Sequence, residues 1–128
     1  MLYQYSFEKL TVWQESRKLV THIYQLLKKY PSNEVYSIVS QIKRASVSVP
    51  SNLAEGSARI TGKDRAHFTS ISYGSLMELL NLLYISFDLE YISEEELDIC
   101  KDSIYELSKQ LSALRNSQLN SNYSNPKL

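Results

Sequence analysis

Glu94-Glu-Glu-Leu-Asp-Ile-Cys-Lys-Asp-Ser-Ile-Tyr-Glu-Leu-Ser-Lys-Gln-Leu-Ser-Ala-Leu-Arg-Asn116 decides the fold. Leu97, Cys100, Ile104, Leu107, Leu111 and Leu114 recur in alternating steps of three and four. That is the seam of a helix in a coiled-coil-like bundle. Ser93 and Glu96 fit a capping box, and three glutamates suit the positive end of the helix dipole. The spacing predicts a helix over 94–116. Residues 117–128, rich in Ser and Asn with one Pro, are expected to form a disordered tail.

A narrow apolar stripe is buried only against other helices, and three more segments supply them. Residues 63–88 place Phe68, Ile71, Ser75, Leu79 and Leu82 on one face. From Leu76 to Phe87 this segment is apolar nearly all round, where an outer bundle helix needs a wet face. Leu76, Leu80, Leu83 and Phe87 are therefore expected to meet another subunit. Residues 33–59 carry Val35, Ile38, Val39, Ile42, Ala45, Val49 and Leu53 at helical spacing, with Pro50 inside the pattern. The proline either kinks this helix or divides it. Residues 10–29 form the first helix, with Thr11 and Gln14 placed for a capping box and Pro31 closing it.

These segments predict an all-α fold, an antiparallel up-and-down four-helix bundle with one domain over 1–116. Composition agrees, because three glycines and three prolines in 128 residues are too few for an all-β chain. No run of about 18 apolar residues marks a membrane span. The start lacks the pattern of a signal peptide. Cys100 is the single cysteine, which suits a reducing cytoplasm.

Charge is polarised although the formal total is zero. Residues 1–75 hold ten Lys/Arg against five Asp/Glu, and residues 76–128 hold four against nine. A molecule of this kind can show a basic surface to an anionic partner. Lys43, Arg44, Arg59, Lys63 and Arg65 form the densest basic run and are the candidate nucleic-acid contacts, since Lys and Arg neutralise phosphates.

Catalytic patterns are scarce. His22 and His67 are the only histidines, and neither has a Glu three residues before it, as a di-iron carboxylate bundle requires. No phosphate-binding glycine loop is present. Arg17 and His22 have the Arg-x4-His spacing of the helical RNases called HEPN domains. Five residues turn a helix by about 140°, so the two do not share a face. The expectation is a non-enzymatic protein with no metal, no cofactor and no small-molecule substrate. Small residues crowd 45–58, with Asn52 and Glu55 one turn apart and Glu55 placed to pair with Arg59. Gly74, Ser75 and Glu78 repeat the theme, so Asn52, Glu55, Ser75 and Glu78 are assigned to a polar network between the second and third helices.

Three stretches carry a family resemblance: Phe7 to Trp13; Tyr30-Pro31 with Gln41 to Gly56; and Gly74 to Leu79 with Leu89 to Ile92. Across about residues 5–116 the chain resembles the bacterial four-helix bundle proteins also called 23S rRNA intervening sequence proteins, or the S23 family. The resemblance implies an up-and-down bundle, assembly into homo-oligomers such as pentameric rings, and genes inside intervening sequences of 23S rRNA. It implies no catalytic residues. It also implies kinship with basic, nucleic-acid-binding accessory proteins of diversity-generating retroelements. The neutral total and acidic second half depart from those relatives.

Overall fold

A computed structural model describes residues 2–124. Four helices make up the architecture: α1 (Thr11–Leu27), α2 (Ile38–Ser57), α3 (Gly62–Asp88) and α4 (Glu94–Ser124). Short 3-10 turns, Ser6–Lys9 and Ser32–Glu34, precede α1 and α2. Among the described residues there is no strand. α1 packs on α2 and α4, and α3 packs on α2 and α4. Neighbours in sequence are thus neighbours in space, and the chain forms an antiparallel four-helix bundle.

The core lies along the common axis. Ile23, Ile42, Val49, Leu76, Leu79, Leu83, Ile104 and Leu111 are fully buried, drawn from all four helices. Burying one such side chain contributes about 1.5–3 kcal/mol. The α4 seam behaves as its spacing predicts: Leu97, Cys100, Ile104, Leu107 and Leu111 are buried, and Leu114 packs at the edge. The Ser93–Glu96 capping box closes in both directions, at 2.8 and 3.1 Å.

Several boundaries differ from the sequence reading. α2 begins at Ile38, five residues later than expected. Ser37 donates to both the carbonyl and the carboxylate of Glu34. Such local bonds compete with helix formation, and here they hold 32–37 as turns. Val35, assigned to the buried stripe, is exposed as a result. Pro50 lies within a single α2, so the helix is not divided there. The Thr11–Gln14 capping box does not form. Gln14 donates to the Glu8 carbonyl, and the Tyr5 amide donates to the Glu8 carboxylate.

α4 does not stop at Asn116 but runs to Ser124, so residues 117–124 are helical where a disordered tail is expected over 117–128. Gln118 accepts from the Thr69 hydroxyl at 2.7 Å, and Arg115 donates to Ser70 at 2.8 Å. Those bonds to α3 extend the helix through residues of modest propensity. Residues 125–128 lie outside those described.

The proposed subunit interface also changes. Leu76 and Leu83 are 0% exposed inside the bundle itself, so neither can meet another subunit. α3 has close neighbours on two sides, and Leu79 and Leu82 are buried with them. That accounts for most of its apolar circumference. Leu80 and Phe87 are half-buried against the same core. What α3 presents outward is a mixed face that includes Ile71, Glu78, Tyr84 and Ile85.

Candidate nucleic-acid interface

The five basic candidates divide into two groups. Arg59, Lys63 and Arg65 surround the α2–α3 connection, at one end of the bundle. Lys43 and Arg44 lie sixteen and fifteen residues back along α2, about 24 Å from Arg59 at 1.5 Å per residue. Proximity in sequence does not make them one patch.

At the α2–α3 end the geometry follows from a tight turn. Thr61 caps α3, its hydroxyl accepting the Asp64 amide at 3.1 Å. Arg65 reaches back and donates to the Ile60 carbonyl at 3.1 Å. The Arg59 guanidinium lies 4.6 Å from the Phe68 ring centroid, a cation–π contact. Both guanidiniums are therefore oriented while retaining donors for a phosphate. Lys63 is exposed, and Ile60 is 91% exposed between these charges. The sequence reading missed Lys9 and Arg115, which stand at this same end. Forty-five residues separate Arg115 from its partner Ser70, so only the bundle register brings it here.

Lys43 and Arg44 sit in a different setting. The Lys43 ammonium lies 5.2 Å from the Tyr24 ring centroid, and Arg44 donates to Ser40 at 3.0 Å. Tyr24, Val47, Ser48, Ser75 and Glu78 complete an open hollow beside them. The Glu78 carboxylate makes this place less attractive to a phosphate than the α2–α3 end.

The polar network between α2 and α3 exists with altered membership. Ser48 is its hub: it hydrogen bonds Ser75 at 2.8 Å and accepts from the Asn52 amide at 2.9 Å. Ser72, fully buried, donates to the Val49 carbonyl at 2.8 Å. Glu55 and Glu78 are exposed and stand outside the network. The expected Glu55–Arg59 ion pair is absent because Arg59 lies over Phe68 instead.

The remaining candidates for chemistry separate. Arg17 lies over the Trp13 ring beside α2, while His22 lines the groove between α1 and α4. The HEPN-like pair is thus not brought together. Cys100 is buried, and desolvation pushes its thiol up to about 11. At neutral pH it is a small apolar group rather than a nucleophile. Among the described residues no three His, Cys, Asp or Glu side chains cluster as a metal site would require. Among the described residues no helix is long and apolar enough to cross a membrane.

Fold and side-chain placement together define an all-α four-helix bundle with a basic cluster at the α2–α3 end. Residues 8–113 match the family model described as 23S rRNA-intervening sequence protein, and the chain belongs to that family. Among solved structures, the fold is shared with a protein of unknown function from the S23 ribosomal protein family of Bacteroides thetaiotaomicron VPI-5482. The TM-score is 0.74 at 20% identity, over 82% of this chain and 98% of the other. No curated protein matches the sequence.

Proposed function

We propose that this protein is a non-enzymatic, oligomeric bundle of the cytoplasm that binds RNA through the basic end at the α2–α3 connection. One observation carries the reading: Arg59 and Arg65 are held in place by Phe68 and the Ile60 carbonyl, with Lys63 exposed beside them. The family's description, which names an rRNA intervening sequence, supports RNA as the polyanion. Oriented guanidiniums bind phosphates by charge and geometry, without reading sequence. Lys43 and Arg44, about 24 Å back along α2, form a separate and weaker contact.

Filter binding against rRNA fragments at several salt concentrations tests this. Affinity must fall steeply with salt, and the Arg59→Ala/Lys63→Ala/Arg65→Ala variant should reduce the log–log salt slope by about 3. Lys43→Ala/Arg44→Ala should reduce it by about 2 at most. Affinity unchanged in the five-fold variant would overturn the reading.

A second reading, a protein–protein adaptor, draws on the outer face of α3. Ile71, Tyr84 and Ile85 are each close to two-fifths exposed there. Self-association across this face would give the homo-oligomer of the first reading, a pentameric ring among the forms. Light scattering that finds a monomer at micromolar concentration would remove both the ring and this interface.

A further inference from the structure

The sequence polarisation becomes an axial one in the bundle. Asp88, Glu90, Glu94, Glu95, Glu96 and Asp98 crowd the α3–α4 corner, and no Lys or Arg occurs between 88 and 98. Glu96 is neutralised by Lys29 and by its cap; the other five are exposed. Glu34, on the α1–α2 connection, stands beside Tyr91 at this same end. The opposite end carries Arg59, Lys63, Arg65, Lys9 and Arg115 against Glu8, Glu55 and Asp64, and so keeps a positive balance. The α4 dipole favours Glu94, Glu95 and Glu96 in its first turn, but it does not account for Asp88, Glu90 or Asp98. Asp88 even lies in the last turn of α3, where the dipole disfavours it.

Each end also exposes large apolar side chains. Tyr36 is 96% exposed, Leu89 49% and Val35 43% at the acidic end, while Ile60 is 91% exposed at the basic end. The two ends thus match in both charge and apolar character. We infer that the acidic end is a docking surface for the basic end of a second copy of this chain, so that bundles associate head to tail. The carboxylates of Glu90, Glu94 and Glu95 then occupy the place that phosphates take in the RNA reading. Ile60 of one copy packs against the Val35, Tyr36 and Leu89 group of the next. The contact joins two different patches and leaves a free patch at each extremity. It therefore builds open chains rather than closed dimers. A lateral ring through α3 uses another surface, so this inference stands or falls separately from it. It shares only the basic end with the RNA reading.

The test is a charge swap followed by sedimentation velocity. Wild-type protein should grow in mass with concentration at about 20 mM salt, and that growth should disappear at about 500 mM, where screening is nearly complete. Glu90→Lys/Glu94→Lys/Glu95→Lys, and separately Arg59→Glu/Lys63→Glu, should each lose the growth. An equimolar mixture of the two should regain association, because the first variant's reversed corner meets the second's reversed turn. A mass independent of salt, or a mixture that stays apart, overturns the inference. Circular dichroism checks folding, and Glu90→Gln/Glu94→Gln/Glu95→Gln serves if the lysine variant is unfolded. RNA affinity should be unchanged in that Gln variant. Loss of wild-type RNA binding with stacking intact would refute only the RNA reading.

Discussion

Two seams of the same bundle are built on opposite principles. Along α2–α3 the backbones approach so closely that a Cβ added at Gly56 would sit 2.7 Å from the Phe68 Cβ. Ser48, Ser72 and Ser75 fill the remaining space and bond across it. Along α1–α4 a groove opens instead, lined by Glu15, Lys18, His22, Asp102, Glu106 and Gln110. There Lys29 and Glu96 form the cross-seam ion pair. Small residues allow close approach and demand shape. Long charged ones span a gap and tolerate change.

The comparison breaks most visibly at Gly56. An alanine in mid-helix usually gains about 1 kcal/mol over glycine. Gly56→Ala should instead lose about 2 kcal/mol, because the clash is with a Cβ that cannot swing away. Chemical denaturation measures it, and a stability gain would show that the seam is not close-packed.

A smaller effect belongs to the cross-seam serines. Ser48→Ala and Ser75→Ala should each cost about 1 kcal/mol. In a double-mutant cycle the pair should show coupling, since the two hydroxyls share one bond. Additive losses would separate the network into independent parts.

The smallest effect is expected at the looser seam. Lys29→Met should cost less than about 1 kcal/mol, because the pair is partly exposed. Its hydrogen bond to Lys29, with the Ser93 amide, lowers the Glu96 pKa. A lowered carboxylate pKa contributes stability above the unfolded value near 4.5, and that contribution fades as pH falls through the folded value. The wild-type–Lys29→Met difference should therefore shrink as pH falls below the unfolded value near 4.5 and through the lower folded one. A constant difference would assign the loss to packing.

Much of this was legible in the sequence where one residue type had one explanation. The Leu97–Leu111 seam and the Ser93–Glu96 box were read correctly because both are local patterns. Leu76 and Leu83 were not, because periodicity says that a side chain is buried without saying against which neighbour. The basic cluster shows the same limit in reverse. Lys43 and Arg59 are close in the chain but lie on opposite sides of Pro50 along α2. Arg115, distant in sequence, stands nearer the site. The last turns of α4 were hidden because Ser and Asn carry weak helix preference, and the bonds from Thr69 and Ser70 that secure them are tertiary.

The unequal helices have one more consequence. α4 has 31 residues and α1 only 17, so the last turns of α4 extend past the start of α1 with α3 beside them. Amide protons beyond Arg115 should therefore exchange with solvent through a small, local opening. Those near Ile104, sealed by the whole core, should wait for the chain to come apart at once. A molecule built this way sheds structure from a single tip inward, like a rope that frays only where one strand outruns the rest.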